Sequence, residues 1–377
     1  MDVLIRLDSL VAPRTGIGYY TEHLVRALAE LPSMNLVGVF GGRRLAGDAL
    51  ADLLDDRAEP DANGSASLMA RLRPLVRAVP GAYRVRQAMR DRAASRAAHG
   101  VRIYHEPNFV PFPFSGSTVL TIHDLSHLRY PEYHPPERVN FLERYLPKAI
   151  QNASAIIADS HFTADEVCAF FPFAADKVYP VHLGVEDSLG PLQGPELQTV
   201  LAGYGLSPGA YLLSVATLEP RKNLAGLVKA YRNLPESVQS DLPLVLVGGA
   251  GWKNEELKRL LAERKGAGRV ILTGRVPRSH LSGLLSGARL FVYPSFYEGF
   301  GLPIAEARAC GTPILTTSYG AMKEVAGDQA FLVHPDELSG GLRQALSQLP
   351  ERLEPYRFCW RDTARNTRAV YQRVLGE

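Results

Sequence analysis

The sequence predicts an α/β protein of two doubly wound, parallel-sheet domains facing each other across a cleft. Three observations lead there. At 377 residues the chain exceeds what one ordinary hydrophobic core holds. Short, nearly continuous apolar runs alternate with helix-like segments, as in strands covered on both faces. The alternation occurs twice, on either side of the Gly/Pro-rich stretch Asp187–Gly209.

In the N-terminal half the expected strands are Val3–Leu7, Leu36–Phe40, Arg102–Tyr104, Thr118–Ile122, Ala155–Ala158 and Lys177–Val181. An irregular insertion runs from about Gly41 to Gly100. In the C-terminal half they are Tyr211–Val215, Leu244–Val247, Val270–Thr273, Leu290–Tyr293, Pro313–Thr316 and Phe331–Val333. Helices are expected near Asn223–Tyr231, Asn254–Arg264, His280–Leu285, Leu302–Ala309 and Gly320–Val325. The division is an N-terminal domain over 1–187, a linker region over 188–209 and a C-terminal domain over 210–350. A helical segment over 351–377 is expected to pack back on the N-terminal domain. Ligands of such sheets bind outside the carboxyl ends of the strands, where loops lead into helices.

The composition, 46% hydrophobic and 21% charged, is that of a globular protein, and no apolar run is long enough to cross a bilayer. The chain enters its first strand without a signal-peptide pattern, so a cytoplasmic location is expected. Cys168, Cys310 and Cys359 lie too far apart in sequence to read as a metal or redox motif. A net charge of +3 does not imply nucleic-acid binding, and none is expected. The charge is uneven, however: Arg71–Arg96 holds eight arginines and one acid, Asp91, beside the apolar stripe Leu68, Met69, Leu72, Leu75, Val76 and Val79. This reads either as a basic amphipathic segment on an anionic membrane, at the inner face of the cytoplasmic membrane, or as a solvated helix face interrupted by Pro74 and Pro80.

Four constellations carry chemistry. The run Ser295–Gly311 sets Glu298 and Glu306 with seven residues between them, around a Gly-Phe-Gly loop and a helix start marked by Pro303. Both carboxylates are expected to face the mouth of that helix, and two carboxylates at one site can also be an acid/base pair. Glu219-Pro220-Arg221-Lys222-Asn223 places two adjacent cations after a strand, suited to a diphosphate; its bland reading is a solvated charged turn. Thr15-Gly16-Ile17-Gly18-Tyr19-Tyr20 opens a helix with glycines that let an anion approach backbone N–H groups, or forms a plain glycine turn. It lacks the third glycine of a dinucleotide fingerprint, since Thr21 stands there. Thr121-Ile122-His123-Asp124-Leu125 leaves a strand with a histidine that either meets a sugar hydroxyl or caps a turn. No Asp-x-Asp pair occurs, so no metal site is expected, and cations and helix N-termini would stabilise a departing nucleotide instead.

Taken together, these residues resemble glycosyltransferase family 4, retaining nucleotide-sugar transferases of the GT-B fold. SVATLEPRKNLAGLVKAY, LVLVGGAGW, VILTGRVP, LFVYPSFYEGFGLPIAEARACGTPILTT and FLVHP look like its successive C-domain blocks. TGIGYYTEHLVRAL, TIHDL, ADSHFTADEV and VHLGVE are similar to its N-domain sequence. The resemblance implies an acceptor-binding N-terminal domain and a donor-binding C-terminal domain. It assigns Arg221 and Lys222 to the donor diphosphate, Glu306 to the ribose hydroxyls and Glu298 to the donor sugar. Gly299, Phe300, Gly301 and Leu302 would offer backbone amides, and Arg275 and Val276 would line the base pocket. Gly16 and Gly18 would admit acceptor and phosphate, and His123 would touch the sugar near its reacting face. No cofactor is expected, the nucleotide sugar being a substrate. The TIHDLSHLRYPEYH stretch resembles bacterial enzymes that use GDP-mannose in polysaccharide or glycolipid assembly, with a saccharide or lipid-linked acceptor. UDP- or dTDP-sugar transfer and nucleotide-sugar 2-epimerisation are the alternatives.

Overall fold

A computed structural model describes residues 1–11, 16–55, 91–263 and 266–377. The expectation for the basic stretch Arg71–Arg96 therefore lies outside the described residues, except for 91–96, which are helical.

The first sheet has seven strands: β1 Asp2–Arg6, β2 Asn35–Phe40, β3 Arg43–Leu45, β4 Ile103–Glu106, β5 Ser117–Ile122, β6 Ala155–Ala158 and β7 Val178–Pro180. Their spatial order is β3-β2-β1-β4-β5-β6-β7. All neighbours pair in parallel except β3, which runs antiparallel to β2 at the edge. That short strand falls within the stretch expected to be irregular. Two of its three residues are exposed arginines, so its composition offers no apolar alternation to read. A helix over Asp48–Asp55 follows, burying Leu50 and Leu54.

The second sheet has six parallel strands: β8 Leu212–Val215, β9 Leu244–Val247, β10 Val270–Gly274, β11 Leu290–Tyr293, β12 Ile314–Thr317 and β13 Phe331–Val333. Their order is β10-β9-β8-β11-β12-β13. The apolar runs became strands because helices cover both faces. Every residue of β9, β11 and β12 is buried, which only a doubly covered parallel sheet requires.

In each sheet the strand order reverses once, between β1 and β4 and between β8 and β11. Loops leaving adjacent strands diverge there and open a crevice at the carboxyl ends. The loops after β1, β4, β8 and β11 are therefore where ligand chemistry concentrates.

The stretch 188–209 contains a helix, Gly194–Ala202, packed on the C-terminal sheet's helix Arg278–Gly287. Gly283 and Gly287 make that approach possible: a Cβ on either would stand 2.7 Å from Val200 and 2.6 Å from Leu201 side-chain atoms. The final helix, Trp360–Leu375, returns to the first domain and lies on the helix Gly16–Ala29. Its Tyr371 hydroxyl is 2.6 Å from Nδ1 of His105, whose Nε2 is 2.7 Å from Thr121 Oγ1. Burial, with the His123 charge nearby, keeps the His105 ring neutral, its pKa pushed down to about 3. The chain thus passes between domains twice, and the passages lie side by side in a parallel bridge between Val185 and Cys359.

Candidate active site

The loop after β8 carries a single 3-10 turn, Pro220–Lys222, ended by Asn223 in the left-handed conformation at φ 53°. Pro220 sets the turn, and Asn tolerates the left-handed region better than most residues. This projects Arg221 and Lys222 toward the loop after β11. Arg221 Nη1 donates to Glu298 Oε2 at 2.8 Å and to the Tyr297 carbonyl at 2.6 Å, and its Nη2 donates to Glu219 at 2.9 Å. Lys222 Nζ donates to Glu298 Oε1 at 2.6 Å and to the Tyr293 hydroxyl at 3.0 Å. That hydroxyl in turn donates to Glu298 Oε1 at 3.0 Å.

Burial disfavours the Glu298 charge, but Arg221 and Lys222 outweigh it and hold the pKa down at about 2. Burial and the adjacent Arg221 lower the Lys222 pKa. The site is not saturated. A guanidinium has five N–H donors and an ammonium three. Arg221 spends three and Lys222 two on the partners above. Among the described residues Arg221 Nε is buried without an acceptor. Three donors thus remain uncommitted, one of them, Arg221 Nε, closed off from solvent.

Gly301, at φ 92°, turns the chain into the helix Leu302–Ala309, with Pro303 in its first turn. Glu306 lies inside that helix, buried, and its carboxylate is met by Arg278 at 2.8 Å. Burial raises the Glu306 pKa, with Arg278 opposing. Gly301 turns the chain between the two glutamates, and their partners differ: Arg221 and Lys222 hold Glu298, and Arg278 holds Glu306. Arg278 also donates to Glu186, by Nε at 3.1 Å and Nη2 at 2.9 Å, and lies 5.3 Å from the Tyr19 ring centre. It therefore ties the Glu306 helix to the first interdomain passage and to the helix Gly16–Ala29. Arg278 was not singled out from sequence. In GRVPRSHL it is one arginine in a polar turn, and only the fold brings Glu186 and Glu306 to it.

Of the glycines opening the first helix, Gly16 is exposed with open space where a side chain would be, and Gly18 is buried. Arg275 is exposed, its side chain covering Gly249, and Val276 is half-buried against the core. Phe300 and Leu302 turn their side chains into the protein: Phe300 packs edge-on to Phe358 at 5.4 Å.

His123 follows β5 in the first domain. Its Nδ1 is 2.7 Å from Asp159, and its Nε2 is 2.8 Å from the Pro107 carbonyl. Burial works against its charge, but Asp159 and the carbonyl outweigh it and raise the pKa, favouring a doubly protonated ring. Tyr20 meets the ring edge-on at 4.8 Å. Asp159 was not singled out from sequence, although it directly follows β6 beside the Ser160 helix cap.

The two loop systems meet. The Gly299 carbonyl accepts from Ser160 Oγ at 2.6 Å and from Thr163 Oγ1 at 2.9 Å. The Leu125 amide donates to the Tyr297 hydroxyl at 3.1 Å. A Cβ on Gly299 would fall 1.5 Å from the His123 carbonyl oxygen. His123, Gly299, Glu298, Arg221 and Lys222 are thus brought to one seam between the domains.

Comparison with known proteins gives the family and the fold. Residues 14–189 match the family described as Glycosyltransferase Family 4, and residues 206–357 match Glycosyl transferases group 1. The chain is 34% identical over 354 residues to the O-antigen chain mannosyltransferase B of Escherichia coli, covering 92% of this chain and 91% of that protein. The chain belongs to glycosyltransferase family 4. This family 4 protein is accordingly a retaining, nucleotide-sugar-dependent transferase. Its fold is GT-B. Sucrose-phosphate synthase from Thermosynechococcus elongatus superposes with a TM-score of 0.68 at 19% identity, covering 99% of this chain and 94% of that one. The catalytic domain of starch synthase IV from Arabidopsis thaliana gives 0.70 at 15%, covering 100% and 99%. Among the described residues no helix is long and apolar enough to cross a membrane.

Proposed function

We propose that this transferase moves a mannosyl residue from GDP-mannose to a saccharide or lipid-linked saccharide acceptor in bacterial polysaccharide or glycolipid assembly. The mannosyl assignment is supported by the likeness along almost the full chain to an O-antigen mannosyltransferase. The observation that carries the chemistry is the convergence of Arg221 and Lys222 beside Glu298, with three donors uncommitted.

In this reading the donor diphosphate takes uncommitted N–H groups of Arg221 and Lys222. The Glu306 carboxylate accepts from the ribose hydroxyls, Arg275 and Val276 line the base, and amides of 299–302 hold sugar hydroxyls. Gly16, at the open start of its helix, admits acceptor and phosphate. The bond between the anomeric carbon and the phosphate oxygen breaks as the acceptor oxygen enters on the same face. The leaving phosphate oxygen takes the acceptor's proton. Arg221 and Lys222 stabilise the charge that gathers on the phosphate.

A double displacement would instead need a carboxylate free to attack the anomeric carbon. Glu298 is poorly suited, because two cations and a tyrosine hydroxyl already hold its oxygens. A front-face route, independent of a metal ion, fits that arrangement better. Because Asp159 and Pro107 engage both ring nitrogens of His123, its contact with the sugar in this reading is made through ring carbons or backbone.

Calorimetry with free nucleotides tests the donor. GDP is expected to bind more tightly than UDP or ADP, and UDP ranking first would reject GDP-mannose. Incubation with a panel of labelled nucleotide sugars then separates transfer from 2-epimerisation, which releases free nucleotide and sugar without an acceptor.

Arg278 supplies a second test. In Arg278→Gln the cation opposing burial at Glu306 is gone, so the carboxyl pKa rises further. Donor binding needs the ionised form, so affinity falls as pH drops through the raised pKa. We expect a donor KM about tenfold higher at neutral pH, one lost charge-assisted contact being worth about 1.5–3 kcal/mol. The acid limb of kcat/KM should move to higher pH. An unchanged acid limb would remove Arg278 from this role.

A further inference from the structure

We propose that His161, His182 and Glu324 form a binding site for a borderline divalent cation of the Zn²⁺ type, built across the seam of the two domains. One donor atom from each lies within 4.8 Å of the others. His182 Nε2 is 2.5 Å from Glu324 Oε1, and the His161 and His182 rings stand 5.6 Å apart at 77°. Zinc binds imidazole nitrogen and carboxylate oxygen at about 2.0–2.2 Å, which puts ligand atoms of a tetrahedral site roughly 3.3 Å apart. The three donors straddle that spacing. Coordination requires the His182–Glu324 pair to open from 2.5 Å and the exposed His161 ring to close on it. Two imidazoles and a carboxylate form a donor set that suits zinc better than magnesium or calcium.

Glu324 is oriented before any ion arrives. Its Oε1 accepts from the His161 amide at 2.9 Å and its Oε2 from the Phe162 amide at 3.0 Å. Such outer contacts fix the lone pairs that face an ion. A cavity of about 280 Å³, lined in part by His161, His182, Cys359 and Asp362, opens beside the cluster. It supplies an entry path and room for a water to complete the coordination. None of the three ligands belongs to the donor site described above.

The placement gives the site a consequence. His161 and His182 belong to the first domain, and Glu324 lies on the helix Gly320–Ala326 of the second. All three ligands meet only when the seam is closed, so the bound ion stabilises the closed arrangement by linkage. A plain ion pair between His182 and Glu324 would also fasten the seam, but it needs neither a metal nor His161. That difference makes the proposal testable.

The full chain, free of any histidine tag and stripped with a chelator, is titrated with Zn²⁺ against a chromophoric competitor. Co²⁺ absorption reports the geometry, and thermal unfolding is followed with and without Zn²⁺. The expected result is a single Zn²⁺ per chain, an intense visible Co²⁺ spectrum, and a Zn²⁺-dependent rise in Tm. His161→Ala should weaken binding by about tenfold or more. It should also remove the Tm rise, while transfer activity without the ion is kept. His182→Ala should abolish binding. The proposal is overturned by a wild-type chain that does not bind Zn²⁺, or by His161→Ala binding it as tightly as wild type. The second criterion stands even if His182→Ala fails to fold, because the exposed His161 side chain can be removed without opening the core.

Discussion

Lys222→Ala is expected to lower kcat by about a thousandfold or more while leaving the fold intact. A preorganised charge aimed at the developing transition-state anion is worth about 2.7–4 kcal/mol when removed alone, and more where the group also holds its neighbours. Lys222 does both. Its Nζ contacts Glu298 at 2.6 Å and Tyr293 at 3.0 Å, and one donor remains for the leaving phosphate. Glu298 keeps Arg221 and the Tyr293 hydroxyl in the variant, so no buried carboxylate is stranded. The thermal midpoint should therefore change little. Single-turnover kinetics at saturating donor measures the effect. A variant turning over near the wild-type rate would sink the leaving-group role of this lysine.

Gly299→Ala should be nearly as damaging, for a steric reason. The added methyl would meet the His123 carbonyl oxygen at 1.5 Å, a separation that no rotamer relieves. Gly299 has no positive φ, so alanine itself is tolerated within its own domain. The clash exists only where the two domains meet. It pushes the loop away from Ser160 and Thr163, whose hydroxyls hold the Gly299 carbonyl. A displacement of about 1 Å between reacting groups costs on the order of a hundredfold in rate. We expect kcat/KM to fall by at least about that factor. Free nucleotide, held in the proposed reading mainly by residues of the second domain, should still bind. Loss of nucleotide binding in parallel with turnover would show that the loop itself had been damaged, and would refute closure as the cause.

The sheet strands were legible because burial on both faces leaves a mark that needs no partner to read. Leu244–Val247 and Ala155–Ala158 match their apolar runs residue for residue. The edge strand Arg43–Leu45 left no such mark, since its pairing with β2 is made by backbone and its side chains are mostly polar and exposed. At the site, adjacency in sequence revealed Arg221 and Lys222, and a fixed spacing revealed Glu298 and Glu306. Neither signal told which cation serves which carboxylate. Arg278 reaches Glu306 from 28 positions away, and Asp159 reaches His123 from 36. Such pairings follow from how sheets stack loops together, and that information is absent from any short window. His123 illustrates the same point: the sequence leaves it between a sugar contact and a turn cap, and only the fold shows both of its nitrogens engaged by Asp159 and Pro107.

The returning C-terminal helix bears on how the chain is made. Tyr371 and Thr363 reach back to His105 and the His182 carbonyl, so the first domain lacks part of its packing until residues beyond the second sheet have been made. The second sheet, complete by Val333, needs nothing from that helix for its own strand pairing. Synthesis from the N-terminus would ordinarily let the leading domain settle first. Here the packing of the leading domain is completed by a helix made after the whole second sheet.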